Sequence, residues 1–246
     1  MLVKIFSTLG LLAISSSALA QSTISGTWML EGPGTESEIA LTAEGQRIQS
    51  EYDLLSDDPS LYCTPASSSR IWANPNAPIK IEQSDGLVRI SYELFDLRRE
   101  IPVGDESDLT GQPSTKNLNG DSFPEMGSSF ARFEGDSLII ESRNHAYGYI
   151  RTSRGIPQSP NTIAIEVLEV EGEGEGEGEG EGEGEGEGEG EGEGETLHIT
   201  HTYIDESIFE KPLVLEYFFR RADGTELNNY NCTDANYDWF DDLNAN

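Results

Sequence analysis

Residues 161–205 hold two strand-like segments separated by a run that has no means of folding with them. Residues 162–170 are β-branched and apolar. Residues 196–204 alternate with period two, placing Leu197, Ile199 and Tyr203 on one face and Thr196, His198, Thr200 and Thr202 on the other. Such alternation belongs to a half-buried strand. Between them, residues 171–195 repeat Glu-Gly strictly and end on one extra Glu. Glycine loses the most backbone entropy on ordering, glutamate is depleted in strands, and the run offers no apolar face to offset that cost. The pattern therefore reads as a β-hairpin whose turn is stretched into a disordered, solvated acidic loop. Lengthening a turn from about four to about 25 residues costs only about 1.6 kcal/mol of closure entropy, small beside a domain stability of roughly 5–15 kcal/mol.

The repeat also dominates the electrostatics. Net charge is −31, and 13 of those charges are the glutamates of the repeat, which leaves −18 elsewhere. Such a surface repels nucleic acid and anionic membranes. The repeat reads either as an expansion in a permissive turn or as a tether that loosely collects divalent cations, since flexible carboxylates lack the fixed geometry of a calcium site. High acidity also fits life in salt.

The first twenty residues have the layout of a signal peptide. Lys4 provides the positive start, residues 5–14 the apolar stretch, and Ala18-Leu19-Ala20 the small-residue cleavage site before Gln21. No cysteine follows the cut, and no later stretch has the eighteen or so apolar residues of a membrane helix. Export to the periplasm or the extracellular space is expected. Removing those 20 residues from 246 leaves 226, enough for one β-rich domain over residues 21–246. Only Cys63 and Cys232 are present. Outside the cytosol they suit one disulfide, worth at most about 5 kcal/mol for so long a loop; two separate thiols are the alternative.

The remaining elements follow in order. A short strand with Gly26-Thr27-Trp28 opens the domain. Residues 41–55 have helical spacing, with Thr42 as N-cap. Residues 63–78, rich in Pro, Ser and Asn, read as an irregular surface connection. Residues 79–83 and 87–94 form a hairpin across Asp85-Gly86, with Val88, Ile90, Tyr92 and Leu94 on one face. Residues 95–101 continue with Phe95, Leu97, Arg99 and Ile101 together, and residues 103–119 read as a polar loop. Another hairpin spans residues 128–133 and 138–141. After the central hairpin come strands at 213–220 and 226–232, then a short C-terminal helix. The fold class is mainly β: an antiparallel meander that closes into a barrel or a strongly curved sheet, with one N-terminal helix and that C-terminal one.

Several stretches together resemble a widespread family of uncharacterised secreted bacterial proteins. They are Leu41-Thr-Ala-Glu-Gly45, the Tyr52 to Cys63 segment with Pro65, Ile79-Lys-Ile-Glu-Gln83, Arg89-Ile-Ser-Tyr-Glu93, Arg98-Arg99, Phe133-Glu-Gly-Asp-Ser-Leu138, Leu197-His-Ile-Thr200 and Tyr230-Asn-Cys232. Members carry Trp where this chain has Phe133, and a short turn where it has the repeat. The resemblance implies a lipocalin-like fold and brings no activity with it.

Arg99 and His201 are polar residues at core-facing strand positions, which is costly unless they are paired. Either they satisfy an internal hydrogen bond or sit near a barrel rim, or they hold the polar end of a ligand in an apolar cavity with Tyr203, Tyr92 and Trp28 around it. His198 and His201 point to opposite faces and cannot share a metal. Asp234-Ala-Asn-Tyr-Asp238 lacks the glycine and final glutamate of an EF-hand. Nucleophile-elbow, Walker, Rossmann and His-Glu-x-x-His patterns are missing, and no cofactor is implied. The leading expectation is an exported protein that binds a small, partly apolar ligand in a β-barrel cavity. Next comes an envelope or surface interaction protein with a cation-collecting loop, then an enzyme using carboxylate or histidine chemistry.

Overall fold

The computed structural model describes residues 24–172 and 195–234. The expected signal peptide, nearly all of the repeat and residues 235–246 of the expected C-terminal helix lie outside them. The chain begins with β1 (Gly26–Leu30), β2 (Thr35–Glu36), α1 (Ala43–Glu51), α2 (Leu54–Asp57) and α3 (Ser68–Trp72). Then follow β3 (Ile79–Ser84), β4 (Leu87–Tyr92), β5 (Leu97–Pro102), β6 (Thr115–Asn117), β7 (Ser128–Glu134) and β8 (Ser137–Arg143). The last strands are β9 (Gly148–Arg151), β10 (Ile156–Gln158), β11 (Ile163–Glu171), β12 (Thr196–Ile204) and β13 (Leu213–Arg221).

Eleven strands make one antiparallel sheet, ordered β6-β5-β4-β3-β1-β13-β12-β11-β8-β7, with β2 on the same side of β13 as β1. The central hairpin has the expected form: β11 pairs with β12 from Ile163↔Ile204 to Glu171↔Thr196, so the two ends of the repeat leave the sheet side by side. The sheet curves strongly enough for its two ends to meet. Val103 of the β5 end bridges Ala131 of β7, Gly104 N–H donates to Ala131 O at 2.8 Å, and Ser114 N–H donates to Gly127 O at 3.0 Å. Closure of this kind removes exposed edges. Inward residues of the strands, with Trp28, Ile81, Leu97, Leu168 and Phe219 among them, form a continuous apolar core.

Four expectations need correction. Residues 41–55 are two helices, because Tyr52 is extended and Asp53 starts a new N-cap by accepting from Leu55 N–H; Thr42 caps α1 as expected, accepting from Gly45 N–H. Residues 63–78 do not merely cover the surface: they contain α3, whose Ser68, Ser69, Ile71 and Trp72 are buried. Three short helices among the described residues thus replace the single N-terminal one. The polar loop at 103–119 includes β6, with Thr115 buried. Finally, residues 226–232 form no strand. They are polar and almost without apolar residues to bury, so they are held at points: Cys63–Cys232 is a disulfide, and Tyr230 N–H donates to Asp96 at 2.9 Å.

Local chemistry explains the tight places. In the turn between β1 and β2, Gly34 has φ +70°, and a Cβ there would lie 2.5 Å from Glu216 O, so only glycine fits. A Cβ on Gly45 of α1 would come within 2.4 Å of Ile208 O, which measures how closely that helix packs on the β12–β13 connection.

Candidate functional site

Helix α3 separates two polar regions. Ser67 caps it, accepting from Arg70 N–H at 3.1 Å while its hydroxyl donates to Ile150 O at 3.0 Å. One face of α3 enters the core and carries Ser68, Ser69 and Trp72. Arg70 and Ala73 instead line an external cleft.

The inner region is a buried ion pair with a hydrogen-bonded surround. Arg99 on β5 forks onto Glu166 of β11, with Nη1 to Oε1 at 3.0 Å and Nη2 to Oε2 at 2.6 Å. Nη2 also donates to Ser142 at 2.8 Å and Ser129 at 3.1 Å, and Trp72 Nε1 donates to Glu166 Oε1 at 2.6 Å. Both charged side chains are 0% exposed. Bidentate pairing of this type is what makes a buried charge tolerable. Burial alone would raise the Glu166 pKa, but the charges of Arg99 and His201, with the hydrogen bonds, outweigh it and hold the carboxyl below its usual value. Tyr92 is coupled electrostatically to Arg99, yet neither its hydroxyl nor Arg99 Nε completes a hydrogen bond of good geometry.

His201 stands opposite Glu166 on the neighbouring strand. Its ring stacks on Tyr203 with centroids 4.3 Å apart, and Nε2 lies 3.4 Å from Ser68 Oγ. Its Nδ1 is buried without a hydrogen-bond partner. Burial pushes the imidazole pKa down to about 4, helped by Arg99 and His145 and opposed by Glu166. The Tyr203 hydroxyl accepts from Ser69 N–H at 3.2 Å, and Ser69 Oγ meets the Tyr217 hydroxyl at 2.7 Å.

Of the residues singled out in sequence, Arg99, Tyr92, His201 and Tyr203 therefore gather around α3 inside the sheet. Their polar groups face Glu166 and the serines of α3, β7 and β8. Trp28 stands apart on β1: it is fully buried, donates Nε1–H to Ile24 O at 3.0 Å, and lies under the Arg221 guanidinium, 4.4 Å from its ring centroid. Trp72, expected from the sequence as a core or rim anchor, is buried in the core; Glu166 and the serines were missed. Symmetry about the repeat would set Glu166 across from Thr200; the observed register pairs Glu171 with Thr196, which brings Glu166 opposite His201 instead.

The outer region is a cleft of about 630 Å³ where α2, α3, the β1–β2 turn and the segment after β9 come together. Leu30, Pro33, Leu54, Ala73 and Pro75 give it apolar walls, and Arg70 and Arg151 stand among them. Arg151 pairs with Glu36 at 3.1 Å, and Arg154 pairs with the same carboxylate. Arg151 Nε is buried without a hydrogen-bond partner. Asp58, also in the wall, accepts from the Ser60 N–H and hydroxyl at 2.9 and 2.7 Å. Arg70 has no side-chain partner among the described residues. In so acidic a chain, an unpaired cation beside apolar walls stands out.

No protein-family model and no curated protein matches this chain. Among solved structures it is similar to the wild-type fluorescent protein UnaG, with 13% identity and a TM-score of 0.33 over 81% of this chain and 97% of that one. A point mutant of UnaG gives 14% identity and a TM-score of 0.31, over 82% and 97% of the two chains. At that level the likeness carries no argument. Among the described residues, no helix is long and apolar enough to cross a membrane.

Proposed function

We propose that this is an exported binding protein for a small, partly apolar molecule with an anionic group, held at the outer cleft. The observation that supports this most is Arg70, a cation left unpaired among the described residues inside an apolar-walled cleft of about 630 Å³. Ligand sites commonly have volumes of roughly 300–1,000 Å³, mostly apolar walls and a few fixed polar groups. The apolar tail would lie against Leu30, Leu54 and Pro75, and the anion would meet Arg70, with Arg151 behind it. The disulfide agrees with an oxidising compartment outside the cytosol. Arg99 and His201 contribute indirectly here: they anchor the inner face of α3, whose other face is the cleft wall.

The test is titration with 8-anilinonaphthalene-1-sulfonate, an apolar dye carrying one negative charge. Saturable binding that weakens on Arg70→Glu and on Leu54→Asp supports the reading. Binding indifferent to both substitutions refutes it.

A further inference from the structure

A second cleft, of about 580 Å³, lies beside the disulfide and is bounded by Tyr62, Cys63, Phe95, Asp96, the 117–121 turn, Asn229, Asn231 and Cys232. We propose that it is a binding site for a neutral saccharide, distinct from the cleft that holds Arg70.

Backbone conformation first draws attention to it. Five non-glycine described residues have positive φ, and four of them, Cys63, Phe95, Asp96 and Asn231, line this one cleft. Such conformations cost energy and persist where the surrounding structure enforces them, typically at ligand sites. Here the enforcement is visible. The disulfide joins the two walls. Asp96 Oδ1 accepts from Tyr230 N–H at 2.9 Å, and the Phe95 and Tyr230 rings meet edge to face at 5.4 Å. Opposite them, Asn117 Oδ1 accepts from the N–H groups of Asn119 and Asp121 at 3.0 and 2.9 Å, which locks the turn.

The chemistry of the lining selects the ligand. No lysine or arginine lines the cleft, so nothing there attracts an anion. Asn119 and Asn229 have side-chain amides with no partner among the described residues. Each amide offers a donor and an acceptor in one plane, and the second oxygens of Asp96 and Asp121 add acceptors. Adjacent hydroxyls of a sugar present the complementary pairs. Tyr62, 60% exposed, presents aromatic surface in the lining. An aromatic face is the usual partner for the apolar C–H face of a pyranose, and it combines a large contact area with a polar tip. A rigid cleft with neutral amides and an exposed tyrosine thus suits a polyhydroxylated, uncharged ligand.

The experiment is calorimetric titration of the oxidised mature chain with maltotriose, cellotriose, mannotriose and triacetylchitotriose. At least one should bind saturably. Tyr62→Ala should weaken that binding about fivefold or more, the usual consequence of deleting an aromatic anchor. Asn119→Ala, on an exposed turn, provides a second variant with little cost to folding, and its affinity should also fall. Arg70→Ala should leave saccharide affinity unchanged, which separates this site from the outer cleft. Failure of all four sugars to bind overturns the proposal, as does binding indifferent to both Tyr62→Ala and Asn119→Ala. Heat seen only on adding calcium chloride, and lost in Asp121→Asn, would make this a cation site and also overturn it.

Discussion

Arg99 and Arg70 are the same residue type treated in opposite ways on the two sides of one short helix. Arg99 is sealed in the core and shares four hydrogen bonds with Glu166, Ser129 and Ser142. Arg70 reaches into a cleft and meets no acid among the described residues. A buried guanidinium keeps its charge and is costly without a partner, so the interior had to supply one. A half-exposed guanidinium is solvated and can wait for a ligand. The inner charge should therefore govern stability, and the outer one binding.

The largest effect should come from breaking the inner pair. Glu166→Leu strands the Arg99 charge and removes the acceptor of Trp72, which should cost about 3–5 kcal/mol in urea unfolding. Adding Arg99→Met should recover part of that loss. A single substitution costing under about 1 kcal/mol would mean that water reaches Arg99, and the contrast between the regions would collapse. Replacing Cys63 and Cys232 together by serine should cost about 2–4 kcal/mol. That change should leave the sulfonated dye bound at the outer cleft while abolishing saccharide binding beside the disulfide.

Acidification offers a gentler probe of the interior. The folded pKa of His201, about 4, lies below its ordinary 6.5. Between these values the unfolded chain binds the extra proton, so stability falls as pH drops from about 6.5 toward 4. His201 should account for about 1–3 kcal/mol of that loss. His145, also depressed by burial, adds in the same direction, and the lowered Glu166 continues the loss below 4.5. His201→Gln should flatten the slope of unfolding free energy against pH without abolishing it. An unchanged slope would place the titration elsewhere. Smallest in stability is Arg70→Ala, within about 0.5 kcal/mol of the parent by urea unfolding, although dye affinity should fall about tenfold.

The same contrast explains what the sequence discloses. Strands β4, β5, β12 and β13 were legible because most of their inward residues are apolar and most of their outward ones polar. The position of the repeat was legible because Glu-Gly can do nothing but leave the sheet. In β11 the signal is inverted. Ile163, Ile165 and Val167 are only half-buried, while Glu166 between them is fully buried. Composition there marks a strand but not which side faces in. Helix α3 was hidden for another reason. Its five residues are too few for helical periodicity, and its buried serines look like loop residues until tyrosine hydroxyls and His201 meet them. Arg99 and His201 were recognisable as costly inward polar residues, but the carboxylate that accommodates Arg99 comes from a strand 67 positions away.

A crystal structure with 8-anilinonaphthalene-1-sulfonate bound tests the division between core and cleft most directly. The sulfonate should lie beside Arg70 with the rings against Leu54 and Pro75, and the Arg99–Glu166 pair should be undisturbed. Dye found beside Arg99 or His201, with Glu166 displaced, would contradict it.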